Sequence, residues 1–232
     1  MLQAFGLGLL GASSLLLAGL FACWVEVPPK LTGILAGFGA GALIAAITTD
    51  LVVEARDVLE QWQFALWMLI GVGVFLVADQ LVGRRFGVAG VGGAMGIVVG
   101  SVVDGVPESV IFGTQVGTGL PISISFLAAV FISNIPQSIA PSADLAAAGW
   151  EARRIGILWF WVVLACGVAA ALGYAATEVT SEATGGRAAA LAAGGLLAML
   201  TNSLMPFAFA RGGELAGAAT AVGFCMALLG SS

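Results

Sequence analysis

The chain has 232 residues, of which 60% are hydrophobic and only 9% are charged, with a formal net charge of -5. Soluble domains carry about 25% charged residues, so this chain cannot cover a water-facing surface. The composition excludes a soluble enzyme, a nucleic-acid-binding protein and a disulfide-stabilised scaffold. It predicts an all-α polytopic membrane protein whose surroundings are a lipid bilayer.

Apolar runs recur along the chain, each near the roughly 20 residues that a helix needs to cross a bilayer. Turn and charge signals separate the runs, and no connection is long enough to form another domain. We therefore expect a single transmembrane domain over residues 1–232 with eight helices. The predicted helices cover residues 2–25, 31–53, 62–82, 87–117, 121–144, 152–176, 187–210 and 212–229.

The basic residues are distributed unevenly between the breaks on the two sides of the membrane. One side holds two of them and the other holds six: Arg56 and Arg187 against Lys30, Arg84, Arg85, Arg153, Arg154 and Arg211. Because Lys and Arg concentrate in cytoplasmic loops, we expect both termini to face out. We expect the protein to be integral to a bacterial inner (cell) membrane.

The second and seventh predicted helices contain similar segments. Residues 40–51 match residues 193–204, with Ala, Gly, Leu, Ala, Thr and Leu recurring in register. The two segments lie an odd number of helices apart along the chain, on the second and seventh, so the two halves would insert with opposite orientations. The pattern predicts an inverted repeat of helices 1–3 and 6–8 around helices 4 and 5, which is the plan of many secondary transporters.

The fourth predicted helix carries two acidic residues within an apolar run. Asp104 and Glu108 are four residues apart and project from one helical face, with Ser101 one turn earlier. A charged side chain at membrane depth is costly, and no Lys or Arg lies at comparable depth in any predicted helix. The pair therefore predicts a bound metal ion or titrating protons. Pro107 would also free the carbonyl of Val103 to act as a ligand.

The fifth predicted helix repeats this proline motif. Pro136 is flanked by Asn134 and Gln137, which lie three residues apart and both offer amide oxygens. Together with Asp104 and Glu108 they would form an oxygen cage with two negative charges, which matches a divalent cation. Five further residues are candidates for metal access or for accessory roles: Asp50, Glu54, Ser101, Ser133 and Asn202.

Two of these assignments have a simpler alternative. Asp50 and Glu54 lie a turn apart near the outer end of the second helix and could equally be a solvated helix end. Asn202 could line the path, but we favour a hydrogen bond between helices, as is common for polar residues in membrane bundles.

The motifs resemble those of the ZIP (zinc/iron-regulated transporter-like) metal transporters. That family's fourth-helix motif reads His-Asn-x-Pro-Glu-Gly, and residues 104–109 follow its spacing as Asp-Gly-Val-Pro-Glu-Ser. The fifth-helix motif His-Glu-Ile-Pro-His-Glu corresponds to residues 133–138, Ser-Asn-Ile-Pro-Gln-Ser. Residues 41–55 are similar to the second helix, which ends in His-Leu-Leu-Pro-Glu-Ala. Eight helices, outward termini and related first and last helix triplets agree with the family as well.

The resemblance implies a divergent, histidine-free member whose cargo is a divalent metal ion. Asp104, Ser133 and Gln137 replace the family's histidines, and Gly105 replaces the asparagine of a second metal site. The resemblance also implies a homodimer and an elevator-like movement of the fourth and fifth helices. Oxygen ligands suit Mg, Ca or Mn, whereas imidazole suits Zn and Fe; carboxylates also bind Zn, so the metal stays open.

Two functions of other classes also fit the sequence. One is a proton-coupled permease or exporter of a small solute, in which Asp104 and Glu108 relay protons. The other is a degenerate membrane subunit that transports nothing. We expect no enzyme activity, because the chain has no motif for a catalytic nucleophile, a nucleotide-binding loop or a redox centre.

Overall fold

The computed structural model describes residues 1–86, 90–119, 122–178 and 182–230, with the backbone alone at residues 82–83, 85–86, 90–97, 99, 103–104, 178 and 182–184. Nearly all of the described residues are helical, and no strand occurs among them. The predicted all-α fold is therefore confirmed.

The described helices form eight continuous rods. In two of these rods, a long helix continues into a short helix through a five-residue π-helical segment. The elements are α1 (Leu2–Phe21), α2 (Pro29–Ala46), the first π segment (Ile47–Leu51), α3 (Val52–Val58), α4 (Gln61–Phe86), α5 (Gly90–Thr118), α6 (Ile124–Ala147), α7 (Ala152–Glu178), α8 (Glu182–Met199), the second π segment (Leu200–Leu204), α9 (Met205–Gly212) and α10 (Glu214–Gly230). Each predicted helix overlaps one rod.

Six rods are long and apolar enough to cross a membrane, which is consistent with an integral membrane protein. They contain α1, α2, α4, α6, α7 and α8. The other two rods are α5, with 29 residues, and α10, with 17. The number of membrane crossings therefore stays a prediction. The main boundary differences are at two helix ends and in two other rods. α1 ends at Phe21 rather than 25, and the second rod continues to Val58 rather than 53. α4 ends at Phe86 rather than 82, and α8 begins at Glu182 rather than 187.

The rods pack as two bundles. In the first bundle, α1, α5, α6 and α7 pack on one another, and the second bundle contains α2, α3, α4, α8, α9 and α10. Glycines bring the backbones of each bundle together, as in many membrane proteins. In the first bundle, a Cβ atom added at Gly8 would lie 2.7 Å from the carbonyl oxygen of Cys166. The bundles meet chiefly where α2 packs on α6, with Gly39 against the backbone of Ser133.

Contacts in the second bundle occur in related pairs. Gly41 of α2 packs on the carbonyl oxygen of Thr220 in α10, and Gly194 of α8 packs on that of Met68 in α4. Gly41 and Gly194 occupy equivalent positions in the two segments that match in sequence. The helix pair α2 and α10 is therefore held by the same kind of contact as the pair α8 and α4.

A second pair of contacts extends this relation beyond the matching segments. Gly223 of α10 packs on the carbonyl oxygen of Phe38, and Gly71 of α4 packs on that of Leu191. Phe38 and Leu191 precede the matching segments by the same two positions. The similarity between the two parts of the chain thus includes tertiary contacts as well as residue types.

The two π segments also occupy equivalent positions. Ile47–Leu51 forms the last five residues of the first matching segment, and Leu200–Leu204 forms the last five residues of the second. Thr48 and Thr201, equivalent again, are both exposed, and each hydroxyl donates to the carbonyl four residues before it, at 2.8 Å and 3.0 Å. A π segment widens a helix locally and is frequent at functional sites.

The structure places four of the basic residues at the two ends of the molecule as the sequence predicts. Gly33, near the start of α2, contacts Gly212 at the end of α9, so Lys30 and Arg211 lie at one end of the molecule. Gly186 contacts Val58 at the far end of the α2–α3 rod, which places Arg56 and Arg187 at the other end. The side of the membrane that each end faces stays a prediction.

Both ends of the described chain lie on the Arg56 side. Gly19, near the end of α1, contacts Ser142 near the end of α6 and Trp159 near the start of α7. The start of α6, where Ser123 binds Asp50, lies toward the Arg56 end, and Met1 lies on that side too. The turn at Gly213, with φ of 58°, starts α10 beside Arg211, and α10 then runs back to Gly230. A glycine suits this turn because other residues rarely adopt such a φ.

Candidate metal site

The helix α5 carries a buried polar face. Ser101, Glu108 and Gln115 follow one another at seven-residue intervals and are all buried. This spacing corresponds to almost two full turns, so the three side chains share one face. Glu108 is only 1% exposed, and it is the one charged side chain in the buried core of the described chain. Asp104 belongs to the same face by its position, but its side chain lies outside the described residues.

The helix α6 contributes three of the predicted site residues. Ser133 is fully buried, and its hydroxyl donates a 3.0 Å hydrogen bond to the carbonyl of Val130. The Asn134 amide nitrogen donates to the carbonyl of Gly11 in α1 at 3.3 Å, whereas a cation would need the amide oxygen. Gln137 is half-buried. One of the two predicted amide ligands is therefore oriented by a bond to a neighbouring helix.

The helices α5 and α6 meet at Gly11. A Cβ atom added at Gly11 would lie 3.0 Å from the ring of Phe112, and the Gly11 carbonyl accepts the bond from Asn134. The Phe112 ring also packs against Phe126 of α6, with ring centroids 5.1 Å apart. The two helices of the predicted cage are thus in contact within the first bundle. The four-ligand cage itself stays a prediction, because it includes Asp104.

A cysteine of α7 lies near Glu108. The Cys166 side chain of α7 is fully buried and lies near Ser109 and Glu108 of α5. Gly105, one turn before Ser109, also faces its sulfur atom. Thiolate ligands favour softer metals such as Zn. The sequence contains no signal for this proximity, since it does not say which side of α7 faces α5.

The described residues contain no group of three or more His, Cys, Asp or Glu side chains that could hold a metal ion. The predicted cage does not depend on such a group, since it consists of two carboxylates and two amides. A metal site in the described part of the chain would therefore need amide, hydroxyl or backbone oxygen ligands in addition to Glu108.

The first π segment places Asp50 against the start of α6. The Ser123 hydroxyl donates a 2.7 Å hydrogen bond to Asp50 Oδ2, and the Thr49 hydroxyl lies 3.3 Å from Asp50 Oδ1. Ser123 also caps α6, since its oxygen accepts from the amide of Phe126 at 3.1 Å. Glu54 is near enough for its charge and that of Asp50 to repel each other. Asp50 is thus held in a polar cluster rather than simply ending a helix.

Sequence reasoning missed Ser123, although a signal for it exists. A serine just before an apolar helical run is a common helix cap, which would have placed it at the start of α6. Its contact with Asp50 could not be read in the same way, because the two residues are far apart in the chain. Asn202 lies in the second π segment and has an exposed side chain.

Comparisons with known proteins give the chain no family. No protein-family model matches it, and no curated protein sequence matches it. The ZIP resemblance therefore rests on the motif residues of α2, α5 and α6.

Proposed function

We propose that the chain is a ZIP-like transporter that carries a divalent metal cation across the membrane, with Glu108 as the central ligand. The observation that carries the proposal is the burial of this carboxylate in a proline-containing helix, together with the six membrane-length helices among the described residues. A charged group inside a membrane is kept when a cation or a proton balances it. The proline motif around Glu108 follows the spacing of the metal-binding motif in the family that the chain resembles, and it keeps that motif's proline and glutamate.

The proposed site adds three side chains to Glu108. Asp104 supplies a second negative charge, and Asn134 and Gln137 supply amide oxygens. Two carboxylates balance the charge of a divalent ion, and oxygen ligands accept Mn, Mg or Ca. The Cys166 thiol beside Glu108 supports Zn as a further cargo.

The proposed path runs from the outer end of the molecule to the cytoplasm. A cation meets Asp50 and Glu54 at the end that holds Arg56 and Arg187, then loses water at Glu108. Both termini face out in this orientation. The metal gradient itself drives the movement.

An inverted repeat and two moving bundles complete the proposal. The paired glycine contacts and the equivalent π segments support a repeat that relates helices 1–3 to helices 6–8. The division into two bundles supports an elevator-like movement of the first bundle, which contains the site, against the second. We also propose a homodimer, which rests on the family resemblance alone.

Metal uptake by proteoliposomes tests the proposal. The purified protein is tested with Zn, Mn, Fe, Mg and Ca, beside Glu108→Gln and the matched variant Glu151→Gln, which makes the same change at an exposed residue. We expect uptake of at least one ion, its loss in Glu108→Gln and normal uptake in Glu151→Gln. Binding should also raise the melting temperature with metal concentration.

Two other results would point to the alternative functions. A permease would respond to its solute and to pH but not to metal, with Glu108→Gln changing the pH response. A non-transporting subunit would show neither uptake nor metal-dependent stabilisation. Metal uptake that persists unchanged in folded Glu108→Gln would remove Glu108 from the site.

A further inference from the structure

Gln115 is a buried amide with an unused acceptor. Its side chain is 4% exposed, and its Oε1 atom accepts no hydrogen bond from any residue that the structure describes. Such an atom loses water on burial without gaining a partner, which costs free energy. Buried acceptors of this kind call for an explanation, and one explanation is an ion that binds there.

Gln115 lies on the face of α5 that carries Glu108, away from the face that packs on α7. The face of α5 that packs on α7 contains Gly113 and Gly117, which contact Ala170 and Thr177. Gln115 lies two residues from each of these glycines, on the opposite side of the helix, and seven residues after Glu108. Its amide therefore lies on the polar face of α5.

An aromatic pair separates Gln115 from Glu108 along this face. Phe112 lies between them in the chain, and its ring packs on Phe126 with centroids 5.1 Å apart. Both rings are at most 1% exposed. Beyond Gln115, α5 ends at Thr118, and the chain soon reaches Ser123, which binds Asp50. The order along the molecule is thus the Asp50 cluster, Gln115, the aromatic pair and Glu108.

We propose that the Gln115 side-chain oxygen is a second cation ligand of the transport path, outside the aromatic pair. The proposal rests on the metal-transport function of Glu108. A neutral amide oxygen binds hard divalent cations such as Mn²⁺ but holds them less strongly than a carboxylate. A weak binding site before a strong one suits a transport path, because the ion must be released from each site as well as bound by it.

Uptake of Mn²⁺ by proteoliposomes tests the proposal with Gln115→Leu, Gln115→Glu and the control Gln3→Leu, which changes an exposed glutamine. Loss of one neutral ligand in Gln115→Leu should raise the KM about fivefold. Gln115→Glu should lower both the KM and the maximal rate, because a bound ion leaves a carboxylate more slowly. Gln3→Leu should behave as the unchanged protein.

A binding measurement separates this role from a packing role. In the Glu108→Gln background, Gln115→Glu should restore an increase in melting temperature with Mn²⁺, and Gln115→Leu should not. If Gln115→Leu transports normally while Glu108→Gln is inactive, Gln115 is not a ligand and the proposed function stands. A missing Mn²⁺ response in the Gln115→Glu double variant overturns the proposal too. If the unchanged protein neither binds nor transports Mn²⁺, both proposals fail for this ion.

Discussion

The hydroxyl of Ser123, the residue that caps α6, donates a 2.7 Å hydrogen bond to the carboxylate of Asp50 in the first π segment. This bond connects the rod of α2 and α3, which belongs to the second bundle, to α6 of the first bundle. It lies at the end of the molecule where we propose that metal ions arrive. A contact that joins the two bundles at this point would have to change if one bundle moves against the other.

Loss of this bond should destabilise the protein, whereas loss of a neighbouring serine hydroxyl should not. Ser123→Ala deletes both the bond to Asp50 and the helix cap, so the free energy of unfolding should fall by about 1 kcal/mol. Ser125→Ala is the control, because Ser125 contacts Ser123 through its hydroxyl but does not cap α6. Thermal unfolding in detergent measures both. An unchanged free energy of unfolding in Ser123→Ala would mean that neither the cap nor the Asp50 bond stabilises the protein.

The paired glycine contacts predict equal effects in the two halves of the chain. Gly41→Ala and Gly194→Ala would each place a methyl group against a backbone carbonyl, which should destabilise the protein by about 1–3 kcal/mol. Gly73→Ala is the control, since an added Cβ meets nothing within 4 Å there and alanine favours the helix by up to about 1 kcal/mol. Chemical unfolding in detergent gives the three values. A stabilised Gly41→Ala or Gly194→Ala variant would contradict the close packing.

The orientation predicts which ends of the chain an impermeant thiol reagent can reach. In a variant that has Cys23, Cys166 and Cys225 replaced by alanine, Arg85→Cys should be protected in intact cells and Ser232→Cys should be labelled. The reason is the concentration of basic residues on the cytoplasmic side. Lysed cells, in which both positions should react, are the control. The reverse pattern would place Asp50 and Glu54 on the cytoplasmic side.

The oxygen-rich site predicts a change of metal preference when an imidazole is added. Gln137 is half-buried, whereas the backbone of Ser133 lies against Gly39, so Gln137 is the better position for a larger ring. Gln137→His should raise the uptake of Zn relative to Mn, because imidazole suits Zn. Zn already outbinds Mn at most sites, so the ratio should change rather than reverse.

Competition uptake of Zn against Mn measures this ratio. Ala143→His, at an exposed position of the same helix, is the control and should leave the ratio unchanged. An unchanged ratio in a transporting Gln137→His variant would show that residue 137 does not touch the ion.

Much of the helical architecture could be predicted from the sequence, because long apolar runs and the breaks between them determine where helices begin and end. Each predicted helix overlaps one observed rod, and the matching segments at 40–51 and 193–204 contain the π segments at equivalent positions. The polar face of α5 could be predicted too, since Ser101 and Glu108 follow the helical period. The apolar runs do not predict that these two segments have π-helical hydrogen bonding.

The tertiary structure alone decided which side chains meet across helices. The Ser123–Asp50 bond, the Cys166 thiol beside Glu108 and the unused acceptor of Gln115 all depend on how rods are rotated and which rods are neighbours. In a membrane protein, hydropathy predicts which segments lie in lipid and which in water, but it barely distinguishes one face of an apolar helix from another. The choice of neighbours comes instead from close glycine contacts and from polar groups that must find partners, and both require the packed molecule.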